Sequence, residues 1–174
     1  MFRFPSRPSR RWALLACSAA VLSVSAAHAD GARDMPRSVP KAYRQECAAC
    51  HTAYPPGMLP SRSWQRVMTG LDRHYGTDAS LDAATVRELG DWLQTHAASG
   101  RDAAVTPPED RITRTAWFER KHRDIEAAVW KLPSVRSPAQ CAACHTGADR
   151  GRFDDDDLRL PAGLTPRQQR AWHD

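Results

Sequence analysis

Apolar residues recur at helical spacing in three stretches of the chain, and no stretch shows the alternation expected of strands. The first stretch predicts a helix from Ser61, a favourable N-cap residue, to Tyr75, with Gly76 placed to end it. His74 falls on the apolar stripe of this helix, which is formed by Trp64, Val67, Met68 and Leu71. The pattern therefore predicts a buried helix face that includes one histidine.

A second helix is predicted from Ser80, as N-cap, to about Ala98, with Gly100 after it. His96 joins its inner face, whose apolar members are Leu81, Leu89, Trp92 and Leu93. A shorter helix is predicted over residues 40–50, before two prolines and a glycine interrupt the chain.

The third stretch predicts a helix from Thr115 to Leu132, which Pro133 ends. Its stripe steps by 4, 3, 4 and 3 residues through Phe118, His122, Ile125, Val129 and Leu132. Together the three stretches predict a mainly α protein: a small helical fold with long irregular loops.

The amino-terminal region has the pattern of a secretory signal peptide. Four arginines and no acidic residue lie in the first eleven positions, an apolar run follows over residues 12–27, and Ala27-His28-Ala29 supplies a small-residue cleavage site. We expect residues 1–29 to be removed and the protein to be periplasmic. The Arg10-Arg11 pair is compatible with export by the twin-arginine route, but the residues around it favour the general secretory route. The apolar run before Cys17 is too short for a lipoprotein signal.

Removal of this segment changes the charge of the protein. The whole chain of 174 residues has a formal net charge of +5, and four of its 25 basic residues leave with the predicted signal, so the mature chain stands at +1. That value argues against a polybasic nucleic-acid-binding protein. No later stretch reaches the roughly 18 apolar residues that a membrane span needs.

Two identical pentapeptides contain the four remaining cysteines. They are Cys47-Ala48-Ala49-Cys50-His51 and Cys141-Ala142-Ala143-Cys144-His145. The C-x-x-C-H pattern is typical of c-type haem attachment, since two thiols one helical turn apart can each add to a haem vinyl group and the adjacent histidine can bind the iron. The pattern predicts two covalently bound haem c groups.

Three other uses of the cysteines account for the pattern less well. A zinc site with four cysteine ligands gives no reason for a histidine after each pair. A thioredoxin-like motif expects a βαβ pattern, which is missing from the sequence, whereas two structural disulfides are compatible with an oxidising compartment. The repeated pentapeptide in an exported chain favours haem over all three.

The two pentapeptides lie 94 positions apart and divide the mature chain into two predicted modules. Residues 30–100 form the N-terminal haem module and residues 111–174 the C-terminal one, with an acidic run at 154–157 and a tail. Residues 101–110 between them read as a linker, because Pro107-Pro108 cannot continue a helix.

Each iron would take His51 or His145 as fifth ligand, and the sixth ligand decides the chemistry. The other mature histidines are His74, His96, His122 and His173, and the candidate methionines are Met35, Met58 and Met68. His74 lies 23 residues after His51, and His122 lies 23 before His145. Helical periodicity does not exclude His96 as a sixth ligand. Met58 is also a candidate sixth ligand, because it follows Pro55-Pro56-Gly57 in a predicted loop.

The sequence resembles the dihaem cytochrome c family over nearly the whole mature chain. The resemblance is carried by residues 46–82 (ECAACHTAYPPGMLPSRSWQRVMTGLDRHYGTDASLD), 111–125 (RITRTAWFERKHRDI) and 137–157 (SPAQCAACHTGADRGRFDDDD). It implies two low-spin haems with two histidine ligands each. His74, in DRHYG, would be the sixth ligand of the first haem, and His122, in KHR, that of the second. The assignment of each distal histidine to its haem is an inference, and a crossed pairing stays open.

The resemblance implies a low-potential electron carrier without enzymatic activity. It further implies an SHP-like oxygen-binding monohaem c-type protein as acceptor and a membrane cytochrome b as donor. The competing hypothesis is a dihaem redox enzyme, such as a peroxidase, in which one sixth ligand is displaceable.

Overall fold

Two helices of the first half carry the main hydrophobic core. The computed structural model describes residues 34–170 and 172, so the predicted signal peptide lies outside the described residues. Helix α1 (Ser61–Thr69) packs against helix α2 (Ala83–Thr95). The buried cluster between and beside them consists of Tyr43, Leu59, Trp64, Met68, Leu89 and Leu93.

Three further helices are shorter: α3 (Arg101–Ala104), α4 (Ala116–Lys121) and α5 (Pro166–Arg170). The remaining helical turns are Tyr43–Cys47, Pro56–Met58, Leu71–Arg73, Pro108–Asp110, Ile112–Arg114, Val129–Lys131, Cys141–Ala143 and Ala148–Arg150. Between residues 34 and 170 the chain forms isolated β-bridges and no strand. The prediction of a mainly α fold with long irregular loops is confirmed. None of the described helices is long and apolar enough to cross a membrane.

The predicted helix over residues 61–75 is wrong in its second half. Helix α1 ends at Thr69, and Gly70 caps it by donating its amide to the carbonyl oxygen of Val67. Glycine is a poor helix former, so the chain turns here. His74 therefore follows the short turn Leu71–Arg73 and does not extend the stripe of α1.

The N-caps of the first two helices also differ from the predicted ones. Ser61 is the first residue of α1, and extended Pro60 precedes it. Asp82, not Ser80, caps α2: its carboxylate accepts hydrogen bonds from the amides of Ala84 and Thr85 at 2.9 and 3.0 Å. A carboxylate suits this place because it also interacts favourably with the positive end of the helix dipole.

The predicted helix over residues 115–132 is interrupted. Helix α4 begins after Thr115 and ends before His122. The hydroxyl of Thr115 caps it by accepting a hydrogen bond from the amide of Phe118. A continuous helix would place Trp130 about 12 Å along the axis from His122. The two ring centres instead lie 5.8 Å apart, because the chain folds back and packs Trp130 against the histidine. The packing of aromatic rings thus determines the backbone conformation here, and the periodic apolar stripe does not.

The segment predicted to be a linker holds α3 and the turn Pro108–Asp110. Asp110 returns to α1, where its carboxylate accepts two hydrogen bonds from the guanidinium of Arg66, at 2.8 and 2.5 Å. The side chain of Asp110 is 15% exposed, so the pair lies at the edge of the core. The segment therefore packs on the first half. The module boundaries themselves stay a prediction.

Candidate haem sites

The first C-x-x-C-H motif begins at the end of the helical turn Tyr43–Cys47 and continues into a loop. Cys47 is half-buried, while Cys50 and His51 are exposed. The imidazoles of His51 and His74 face each other, with ring centres 6.1 Å apart and planes inclined by 23°. The turn that follows Gly70 brings His74 to the motif.

The second motif forms the turn Cys141–Ala143 and places His145 directly after it. The amide of His145 donates to the carbonyl oxygen of Cys141 at 2.8 Å, which closes one turn over the motif. The imidazole of His122 lies opposite, with ring centres 6.2 Å apart and planes inclined by 74°. Here the end of α4 supplies the second histidine.

Both ring pairs have the spacing that an iron between them requires. An iron bonded to one nitrogen of each ring at about 2 Å, the usual metal–imidazole distance, places the ring centres roughly 6 Å apart. Both pairs match this distance, and each contains the histidine of one C-x-x-C-H motif. The residues present therefore fit two haem groups.

The protonation states also fit metal binding. Burial lowers the pKa of His74, and the neighbouring charge of His51 lowers it further. Burial likewise lowers the pKa values of His122 and His145, against opposing contributions from nearby hydrogen bonds and acids. These rings are therefore neutral at pH 7, which is the form that binds a metal.

The four cysteines are free thiols in the structure. Burial, followed by the charge of Glu46, raises the pKa of Cys47 to about 11, and burial raises that of Cys141 to about 11. Before haem is attached, these two thiols are therefore protonated at neutral pH.

Backbone carbonyls orient two of the histidines. Nδ1 of His51 lies 2.7 Å from the carbonyl oxygen of Thr52, and Nδ1 of His122 lies 2.9 Å from that of Phe118. When Nδ1–H donates to these oxygens, Nε2 carries the lone pair that a metal needs.

Aromatic side chains surround the four rings, and sequence periodicity did not mark most of them as part of a site. His51 stacks on Tyr54 at 5.0 Å and His122 on Phe118 at 4.0 Å. The second pair also contacts Trp130 at 5.8 Å from His122 and Phe153 at 5.8 Å from His145. All four of these aromatics lie within eight residues of their histidine in sequence, which is the one signal that would have pointed to them.

Tyr75 holds the segment that carries His74. Its ring packs edge-on to His74 at 4.9 Å, and its hydroxyl donates to the carbonyl oxygens of Glu109 and Asp110 at 3.1 and 3.0 Å. The guanidinium of Arg111 lies 4.4 Å above the same ring. Tyr75, Glu109 and Asp110 all have positive φ, between 49° and 56°, a conformation that surrounding contacts must maintain.

The other candidate ligands that the structure describes lie away from the two ring pairs. The ring of His96 packs on Trp92 at 5.3 Å, and its Nδ1 lies 2.9 Å from the carbonyl oxygen of Trp92. Met58 is buried in the turn Pro56–Met58, and Met68 belongs to the core cluster. Met35 lies against Gly151, and His173 falls outside the described residues.

Comparison with known proteins identifies the family. A family model described as dihaem cytochrome c matches residues 43–153, a span that includes both motifs and both histidine pairs. A comparison with curated proteins finds no similar relative.

Solved structures agree with this match. A diheme cytochrome c from Rhodobacter sphaeroides is 41% identical, with 66% of this chain and 97% of that chain covered and a TM-score of 0.59. A diheme cytochrome type c from Shewanella baltica is 35% identical, covering 71% and 96% of the two chains with a TM-score of 0.62. The chain belongs to the dihaem cytochrome c family.

Proposed function

We propose that this protein is an exported electron carrier with two low-spin, low-potential haem c groups, each held by two thioether bonds and two imidazoles. The first group is attached to Cys47 and Cys50, with His51 and His74 as axial ligands. The second is attached to Cys141 and Cys144, with His145 and His122 as axial ligands.

The observation that carries this proposal is the pairing of histidine rings. Each C-x-x-C-H histidine has a second imidazole at 6.1 or 6.2 Å. His74 lies beside the first motif and His122 beside the second, which supports the uncrossed pairing. Because a metal between the rings matches both distances, the two distal histidines are the best-supported sixth ligands.

Haem iron with two imidazole ligands exchanges single electrons and presents no vacant position to a substrate. The chain contributes ligand identity, ligand orientation and exclusion of water. His74 and His122 close the sixth position, and the backbone carbonyls of Thr52 and Phe118 orient two of the rings. The aromatic side chains beside the histidines limit access of water, which is one of the protein's means of tuning a potential.

The compartment and the partners belong to the same proposal. The predicted signal peptide supports export to the periplasm. The family resemblance supports an SHP-like monohaem protein as electron acceptor and a membrane cytochrome b as donor.

Carbon monoxide separates this carrier from a dihaem enzyme with a displaceable ligand. The native reduced protein, with two haems per chain by pyridine haemochrome, should give a low-spin spectrum that carbon monoxide leaves nearly unchanged. Acid-unfolded protein, in which the distal histidines dissociate, is the positive control and should bind the gas. A large carbon monoxide shift in the native protein would contradict two-histidine ligation and favour the enzyme.

A further inference from the structure

The phenol of Tyr54 connects the two haem-binding segments of the structure. Its ring stacks on the imidazole of His51, with ring centres 5.0 Å apart and planes inclined by 25°. Its hydroxyl donates a hydrogen bond of 2.7 Å to the carbonyl oxygen of Ala139. Ala139 lies two residues before Cys141, so one side chain contacts a ligand of the first site and the backbone that leads into the second.

Tyr54 is itself fixed to the core of the first half. The hydroxyl of Tyr43 donates to the carbonyl oxygen of Tyr54 at 2.5 Å, and Tyr43 is 2% exposed within the core cluster. Pro55 and Pro56 follow directly and are buried, and their rings restrict the backbone. Because Tyr54 is anchored in this way, its hydrogen bond to Ala139 fixes the segment before the second motif relative to the first site.

We propose that Tyr54 is a positioning residue that holds the two haem sites in a defined relation and thereby sets the redox coupling between them. This inference rests on the proposed function, since it needs two redox-active haems. The coupling is the change in the potential of one haem when the other is reduced, and it depends on their separation and on the effective dielectric constant between them. Loss of the hydrogen bond frees the second segment and admits water, so the coupling weakens.

A second hydrogen bond between the halves does not reach either motif. The indole of Trp117 donates to the carbonyl oxygen of Met58 at 3.4 Å, which is longer than the bond made by Tyr54. Tyr54 is thus the described side chain that joins a haem ligand to the other motif's segment.

The test compares Tyr54→Phe with a matched control variant of the holoprotein. Tyr54→Phe keeps the ring on His51 and removes only the bond to Ala139. Trp117→Phe is the control, because it also removes a hydrogen bond between the two halves, but that bond reaches the carbonyl oxygen of Met58 and neither motif. A redox titration followed by the NMR signals of each haem gives the coupling directly.

Tyr54→Phe should reduce the coupling by roughly half or more, as a doubling of the effective dielectric constant implies. Trp117→Phe should leave the coupling at the wild-type value. Tyr54→Leu, which also loses the stacking on His51, should reduce it at least as far and provides the answer if Tyr54→Phe accumulates poorly. Unchanged coupling in the Tyr54 variants, or an equal reduction in Trp117→Phe, overturns the role of Tyr54.

The haem stoichiometry and spectrum of the wild-type protein distinguish the two possible failures. A wild-type protein with fewer than two haems, or with a haem that binds carbon monoxide, refutes the proposed function and this inference with it. Two low-spin haems whose coupling ignores Tyr54 refute this inference alone.

Discussion

His74 and His122 occupy equivalent places at the ends of short helical segments. His74 follows the turn Leu71–Arg73, and His122 follows α4. The distances between ring centres in the two histidine pairs are nearly equal, 6.1 and 6.2 Å. A residue just beyond a helix end is held by the helix on one side. This position fixes each ring beside its C-x-x-C-H motif.

Replacement of either distal histidine by methionine should perturb a single haem. His74→Met and His122→Met should each shift the absorption of one haem and raise its potential by on the order of 0.1 V, within the ~0.8 V over which axial ligands tune haem. The other haem should keep its wild-type potential. Optical redox titration of each variant measures both values.

His96→Met is the matched control for these variants. The ring of His96 packs on Trp92, so this change should leave both haem potentials where they are. A rise in one potential in His96→Met, with none in His74→Met, would refute the assignment of His74.

At the scale of the helix, the N-cap of α2 introduces a pH dependence of stability. The hydroxyl and amide of Thr85, and then the amide of Ala84, hold the pKa of Asp82 below its usual value. A depressed pKa means that the cap stabilises the folded protein above the unfolded pKa, near 4, and that this stabilisation is lost as the pH falls through the lower folded value.

Asp82→Ala should therefore lower the melting temperature at pH 7, and the difference from the wild type should shrink as the pH falls below about 4. Asp82→Asn retains a capping oxygen and should keep most of the stability at pH 7. Thermal unfolding followed by circular dichroism between pH 3 and pH 7 measures both effects. A difference between Asp82→Ala and wild type that is constant across this range would exclude the carboxylate cap as its source.

The helices also show where the local sequence pattern determines the backbone and where tertiary packing does. α2 contains an uninterrupted apolar face and forms much as its periodicity predicts. The stripe through residues 115–132 is equally regular, but it forms only the α-helix Ala116–Lys121 and a separate short turn, Val129–Lys131. The reason is that Trp130 packs on His122, and this contact requires the chain to leave the helix between them.

In the whole molecule, the hydrophobic core is distributed unevenly. The core cluster lies in residues 43–93, where α1 and α2 bury their faces against each other. The second half has short helices and separate buried residues, namely Phe118, Val129, Val135, Ala148 and Leu164. We therefore expect the second half to depend more strongly on its haem for folding.

Removal of the second haem tests this expectation. The double variant Cys141→Ala, Cys144→Ala should lose hydrogen-exchange protection over residues 116–170, while the amides of α1 and α2 keep theirs. The converse variant, Cys47→Ala with Cys50→Ala, is the control and should leave partial protection around Leu89 and Leu93. Equal loss of protection in both halves of the first variant would show that the molecule folds as one unit.

Sequence alone predicts the attachment chemistry and is sufficient for the helical class. Two thiols and the proximal histidine must lie within five consecutive residues to reach one haem, so the motif is complete in the chain itself. The apolar stripes likewise predict helices, because a helix repeats its faces every few residues.

The distal side of each site depends on the fold. Helical periodicity predicts that His74, His96 and His122 all lie on inner faces. An apolar stripe indicates which side of a helix is buried, but it does not indicate which residues pack against that side. The turn after Gly70 and the break after α4 bring two of these rings to the motifs, and His96 stays on Trp92. The bond from Tyr54 to Ala139 spans 85 residues, a contact that local pattern does not encode because it forms only when distant segments pack together.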